Sequence, residues 1–232
     1  MSGTRPSVVV LVAGTGTDVG KTWVSARLLE NWRHAGLSVA ARKPAQSFAP
    51  GSAPTDAEVL ASATGEDPST VCLPARSYPV PLAPPMAADA LGRARPTIAQ
   101  FLGELTWPRP AVDVGLVETA GGVRSPQAGD GDVLDMMAAV APDAVVLVAD
   151  AGLGTVNVVR LSVAALTDEW RTGRPTLTPV VVLNRYDASV DLHRRNLSWL
   201  RHTDGFSVVT TDHADLAELA QRLAATVPGM SR

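Results

Sequence analysis

A lysine and a threonine close a glycine-rich stretch at residues 14–22, Gly-Thr-Gly-Thr-Asp-Val-Gly-Lys-Thr. An apolar β-branched run, Val8 to Val12, leads into it, and Gly20-Lys21-Thr22 opens an amphipathic helix behind it. Strand, loop and helix in that order aim backbone N–H groups and a helix N-terminus at phosphate; Lys21 adds a point charge and the Thr22 hydroxyl a ligand for Mg²⁺. Gly16, Thr17, Asp18, Val19 and Gly20 are the loop positions that would cradle the phosphates. The strict pattern G-x-x-x-x-G-K-[ST] is missed by one place, because Thr15 stands where its first glycine belongs and Gly14 lies one residue back. The bland alternative is a Gly-rich turn, but the flanking strand and helix supply the context that the motif needs.

The second candidate is also a lysine. The chain holds eighteen arginines and only two lysines, Lys21 and Lys43. A compact ammonium can sit between phosphate oxygens where a guanidinium cannot, so the two exceptions to an arginine habit suggest a pair flanking a terminal phosphate. Three oxygen-bearing side chains, Thr22, Asp56 and Glu118, can serve a nucleotide-bound Mg²⁺, a hard ion that takes part of its octahedron from substrate phosphates. Glu118 ends an apolar run, VDVGLV, and precedes Thr119-Ala120-Gly121-Gly122; Asp56 follows Thr55 at the start of a short helix, where a plain capping role is the alternative. Asn184-Arg185-Tyr186-Asp187 resembles the N-K-x-D base-reading motif of GTPases, so Asn184 could pair with the edge of adenine and Asp187 with guanine, or the stretch could be an Asn-containing turn.

These residues need a frame. Apolar runs suited to strands recur at 37–42, 112–117, 144–149 and 180–183, with a weaker one at 206–209. Helical spacing falls at 23–35, 55–63, 97–105, 132–140, the stretch after Gly154, 192–201 and 215–226, while the proline-dense stretch 74–86 reads as irregular. Strands apolar on both faces that alternate with helices describe a parallel sheet covered on two sides: an α/β, three-layer P-loop NTPase type of fold in one domain, residues 1–232. In such a sheet ligands gather outside the carboxyl ends of the strands, which is where residues 17–22, 43–47, 118–122, 150–155 and 184–187 fall.

Composition narrows the class. Net charge is −3 with no basic run, so nucleic acid and membrane surfaces are not expected partners. A single cysteine, Cys72, excludes an internal disulfide. No leader-like segment and no stretch near the ~20 apolar residues of a membrane span is visible, which predicts a cytoplasmic protein. The four histidines fall on expected helix faces or loops and form no zinc or nucleophile set.

Seven segments in order, GTGTDVGKT, KPAQS, TDAEVL, YPVPLAPPMAA, VETAGG, LGTVN and VLNRYD, resemble the dethiobiotin synthetases of the P-loop NTPase superfamily over nearly the whole chain. The resemblance implies a homodimer with sites at the subunit interface. It also implies closure of a cyclic urea from 7,8-diaminopelargonate and CO₂ (or bicarbonate), through a carbamate phosphorylated by ATP with Mg²⁺. On it, Lys43 holds the carbamate and the transferring phosphate, Lys21 the β- and γ-phosphates, and Asn184 the adenine. Ser47 and Gly121 meet the small-molecule substrate, the proline-rich stretch walls it, and Gly154, Thr155 and Asn157 receive a substrate carboxylate from the neighbouring subunit.

Two positions depart from the family's usual pattern. Asp18 stands for a glutamate, and Thr119 for a glycine, a side chain expected to narrow the approach to metal and substrate. A paralogue acting on another diamine or carboxylate therefore stays open. A partitioning-type ATPase or GTPase switch is the rival from another class; those proteins carry a second, signature lysine inside the loop, where this chain has Gly16 and its neighbours, and have no use for Lys43-Pro44.

Overall fold

The computed structural model describes residues 4–167, 177–225 and 227. Six parallel strands form the main sheet in the order β2-β5-β1-β6-β7-β8. They are β1 (Val8–Gly14), β2 (Val39–Arg42), β5 (Val114–Glu118), β6 (Ala144–Asp150), β7 (Val180–Asn184) and β8 (Val208–Thr210), while β3 (Gln46–Ser47) and β4 (Ser77–Tyr78) make a small parallel pair to one side. β1 lies in the middle, paired with β5 from Val8↔Val114 to Val12↔Glu118 and with β6 from Val10↔Ala144 to Gly14↔Val148. Both neighbours being parallel, every carboxyl end falls on one edge.

All seven residues of β1 are buried, and successive side chains point to opposite faces. Val8, Val10 and Val12 pack with Val24, Leu28 and Trp32 of α1 (Lys21–His34) and with α2 (Asp56–Thr64). Leu11 and Ala13 face the other way, toward α6 (Val133–Val140) and α7 (Thr155–Leu166). This is why the strand reads as an unbroken apolar run rather than an alternating one. Two further helices, α8 (Asp191–Ser198) and α9 (His213–Leu223), follow β7 and β8, and the Trp32 indole N–H donates to Ala220 O of α9 at 2.8 Å.

The expected elements form, with shifted ends. β2 begins at Val39 rather than residue 37, because Gly36 and Leu37 complete the turn that ends α1. The stretch 74–86 is less irregular than its prolines suggest: it holds a 3₁₀ turn at Pro74–Arg76, β4, and the start of a helix α4 (Pro84–Ala90), with proline in its first turn where a missing N–H costs nothing. α8 stops at Ser198 and passes into a π turn at Trp199–Thr203. The expected end of the closing helix, Thr226, lies outside the described residues, and no helix among those described is long and apolar enough to cross a membrane.

Candidate active site

Helix α1 begins without a side-chain cap. Gly20, at φ 90°, turns the chain into it, and the first N–H groups of the helix are left to a ligand. An alanine at residue 20 would bring its Cβ to 1.9 Å from Asn184 Nδ2, so glycine is needed there twice over, for the positive φ and for the space. The displaced first glycine has an explanation as well. At Gly14 a Cβ would lie 3.0 Å from Lys21 Cδ, so it is over residue 14, not 15, that the lysine stem passes.

The loop floors a cleft of about 740 Å³, lined from the loop by Thr17, Asp18, Gly20, Lys21 and Thr22. Lys43, Ser47 and Asp56 line it from the β2–α2 segment, Gly121 and Ser125 from the turn after β5, and Pro81 to Pro84 from the proline-rich stretch. Most of the predicted site is thus brought together, including the proline wall. Gly16, Val19, Glu118 and Asn184 adjoin it through hydrogen bonds within the loop and cluster without lining it, and Gly154, Thr155 and Asn157 are not part of it: they open α7 at the end of β6.

At the base of the cleft, five side chains converge. Glu118 is fully buried; its Oε1 accepts from Lys43 Nζ at 2.6 Å and from Thr22 Oγ1 at 2.8 Å, and its Oε2 from Ser25 Oγ at 2.7 Å. Asp56 completes the set: its Oδ1 lies 2.8 Å from the same Thr22 hydroxyl, whose single proton serves one of the two carboxylates at a time, and its Oδ2 lies 2.7 Å from Lys43 Nζ. Capping does not account for Asp56, because Thr55 and Glu58 close a capping box by themselves. Burial opposes the charge on Lys43, but Glu118 and Asp56 outweigh it and hold the ammonium above the ordinary lysine range. Burial likewise resists ionisation of Asp56, and the Lys43 charge with the hydrogen bonds from Lys43 and Thr22 keeps its carboxyl below the usual carboxylate range. Two carboxylates and a hydroxyl about one point are hard-oxygen ligands of the kind Mg²⁺ takes.

Lys21 is placed differently. Its Nζ donates to Gly16 O at 3.0 Å and has no carboxylate partner at ion-pair distance among the described residues. Burial, and then the charge of Lys43, pull it down from 10.5 to about 8. A buried cation without a counter-ion beside an open cleft is poised for an anion.

Asn184, at the end of β7, is buried and donates from Nδ2 to Val19 O at 2.9 Å. That bond fixes which way the amide faces, leaving Oδ1 as an acceptor. Asp187 is spent on a turn, its Oδ1 taking both the N–H and the hydroxyl of Ser189, which argues against a guanine-reading role. Thr119 corrects an expectation: its side chain is buried with the hydroxyl donating to Val12 O of β1 at 3.2 Å, so it turns into the sheet and does not narrow the cleft. Cys72 is buried, its thiol pushed up to about 12 by burial, and unreactive.

Four contributors went unread in the sequence. Ser25 sits one helical turn beyond Lys21 and Thr22 and anchors the far oxygen of Glu118. Gln127 clasps Ala120 through both its amide atoms, and Ser125 accepts from Gly122 N–H at 2.9 Å, so the polar segment after Gly122 folds back to brace the turn after β5. Arg185 reaches from the end of β7 to the phosphate loop, donating to Asp18 O at 2.8 Å. Periodicity signals none of these; only the position of Ser25 on the Lys21 face of α1 was there to be noticed.

A family model described as an AAA domain matches residues 9–211. The ATP-dependent dethiobiotin synthetase BioD of Anaeromyxobacter dehalogenans (strain 2CP-C) is 35% identical over 224 residues, covering 94% of this chain and 96% of that protein. The protein of the same name from Anaeromyxobacter sp. (strain Fw109-5) is 40% identical over 180 residues, 76% of each chain. Among solved structures, chloroplast FtsY from Physcomitrella patens superposes with a TM-score of 0.51 at 15% identity, covering 94% of this chain and 65% of that one, which is a likeness of fold. With a mainly parallel sheet, a phosphate loop and relatives that match it nearly end to end, the chain belongs to the dethiobiotin synthetase family.

Proposed function

We propose that this chain is an ATP-dependent dethiobiotin synthetase, a ligase that closes a cyclic urea from 7,8-diaminopelargonate and CO₂ in biotin biosynthesis. The observation that carries the reading is the Lys43–Asp56–Glu118–Thr22 cluster under a cleft whose floor is the phosphate loop. ATP supplies the phosphoryl group that makes the carbamate oxygen a leaving group.

The remaining work falls to the protein. Lys21 and the loop N–H groups from Gly16 to Thr22 hold the polyphosphate. Thr22, Asp56 and Glu118 would hold Mg²⁺, which would supply charge neutralisation at the phosphates, and Lys43 beside them would face the carbamate and the transferring group. Catalysis of phosphoryl transfer is largely positioning and charge neutralisation, and this set provides both. Ser47 lines the cleft with a buried hydroxyl that has no partner among the described residues, which suits it to the diamine or carbamate, with Gly121 on the same cleft. The free Oδ1 of Asn184 suits the exocyclic amine of adenine.

A second copy of the chain completes the site. α7 opens on Gly154 at φ 91° with no side-chain cap, Thr155 Oγ1 beside it is buried and unpartnered, and Asn157 is exposed. Such a helix start favours a carboxylate, and it lies outside the chain's own cleft. Around it Leu153 is 91% and Leu161 65% exposed, with Val158 on the same helix, an apolar face suited to burial against a partner. The enzyme works in the cytoplasm as a homodimer on this reading.

Incubation with diaminopelargonate, bicarbonate and MgATP, with dethiobiotin and ADP followed by mass spectrometry and a coupled assay, tests it. Dethiobiotin formed in step with ADP is expected. ATP turnover indifferent to the diamine would identify a switch instead, and product from a different diamine only, a paralogue. Leu161→Glu should leave a monomer by light scattering and lose ring closure; an unchanged mass would remove α7 from the interface.

A further inference from the structure

We infer that Arg185 is a positioning residue that sets the phosphate loop from outside and, with Asn184, aims two backbone N–H groups at the phosphates. The inference rests on reading residues 14–22 as the phosphate site of a nucleotide. Asn184 and Arg185 are consecutive at the end of β7, and they grip consecutive carbonyls of the loop: Asn184 Nδ2 donates to Val19 O at 2.9 Å and Arg185 Nη2 to Asp18 O at 2.8 Å. In a trans peptide unit the C=O and the following N–H point in opposite directions. Drawing Asp18 O and Val19 O toward β7 therefore turns Val19 N–H and Gly20 N–H the other way. Among the described residues neither of these N–H groups has a hydrogen-bond partner. Two adjacent unpaired donors on one side of a glycine loop form a nest for anionic oxygen.

The other end of the arginine is anchored. Arg185 Nη1 donates to Asp150 Oδ2 at 2.8 Å, and Asp150 Oδ1 in turn accepts from Gly152 N–H at 2.8 Å. One guanidinium thus ties the loop after β1 to the end of β6 from its own seat on β7. Its planar fork reaches the two acceptors through separate nitrogens, a rigid spacing that a lysine's single nitrogen does not reproduce. Both residues at this joint have left-handed backbones, Asp18 at φ 58° and Arg185 at φ 55°. That region is uncommon for an arginine, and a residue stays there when its surroundings dictate it. The guanidinium is itself 59% exposed, so its attraction for phosphate is screened and what it contributes is orientation.

The test measures binding of two ligands, MgATP and magnesium tripolyphosphate, by calorimetry on the full chain. The second ligand carries the phosphates without a base. Arg185→Ala should weaken both by the same factor, roughly two- to tenfold. Arg185→Lys keeps the charge but not the fork, and should weaken both as well. Asp150→Asn is the sharpest arm: it removes a negative charge near an anion site, so charge alone predicts tighter binding, whereas loss of the anchor predicts weaker. In the ligand-free protein, amide exchange at Val19 and Gly20 should speed up in Arg185→Ala. The inference fails if Arg185→Ala weakens ATP alone, if Arg185→Lys binds like the wild type, or if Asp150→Asn binds more tightly. A wild-type chain that binds neither ligand overturns the nucleotide reading itself, a result distinct from variants that bind as the wild type does.

Discussion

Replacing Lys21 with methionine should make the ligand-free protein more stable while removing its grip on nucleotide. The lysine is 7% exposed, its one hydrogen bond goes to Gly16 O at 3.0 Å, and burial together with the charge of Lys43 holds it at about 8 against an ordinary 10.5. That depression corresponds to roughly 3 kcal/mol of folding stability. Losing the bond to Gly16 takes back about 1 kcal/mol, leaving a net gain of about 2 kcal/mol. The pH dependence gives the sign. Below pH 8 the lysine is charged in both the folded and the unfolded chain, and the full penalty stands. Between pH 8 and 10.5 the folded protein has released a proton that the unfolded chain still holds, so wild-type stability rises with pH. Above 10.5 both forms are neutral and the electrostatic penalty is gone. Urea denaturation of both proteins, followed by circular dichroism from pH 7 to pH 10, should show Lys21→Met ahead at pH 7 and its lead shrinking as pH rises. A variant no more stable than the wild type at pH 7, or a lead that ignores pH, would refute the reasoning.

Lys43→Ala leaves the buried Glu118 without its counter-ion and the partly exposed Asp56 beside it, so thermal or chemical denaturation should show a loss of about 3 kcal/mol; ring closure should fall by ~10²–10³, and near-normal turnover would remove Lys43 from the chemistry. Gly20→Ala places a Cβ 1.9 Å from the Asn184 amide and strains a φ of 90°, so calorimetry should find no MgATP binding; retained affinity would show that the loop tolerates a different path. Asn184→Ala should blunt the preference among ATP, CTP and GTP as phosphoryl donors as well as loosen the loop, and an unaltered ranking would take Asn184 away from the base.

The reading of the sequence went furthest where one physical signal dominates. Strands buried on both faces, such as Val8–Gly14 and the 144–149 part of Ala144–Asp150, are apolar without interruption, and the parallel sheet follows from that pattern and the helices between them. The phosphate loop and the two lysines were legible because glycine and ammonium are there for reasons of space and charge. Thr119 was misjudged because a residue name does not tell which side of a strand end its side chain takes, and here Val12 O draws the hydroxyl into the sheet. Proline content hid α4, since proline breaks helix interiors but is welcome at the first turn. Arg185 and Gln127 were invisible for another reason. Each acts by gripping a backbone atom far away in the chain or folded back in space, and a backbone carbonyl carries no residue identity.

The double ion pair of Lys43 has a bearing on how the empty enzyme is made. Glu118 and Asp56 would repel one another beneath the cleft were they left alone, and many metal pockets need their ion before they close. On the proposed reading the chain carries its own placeholder for Mg²⁺, the tethered ammonium of Lys43. Newly made protein can therefore settle into its finished shape in the absence of any divalent ion, and chelators should stop its chemistry without melting it.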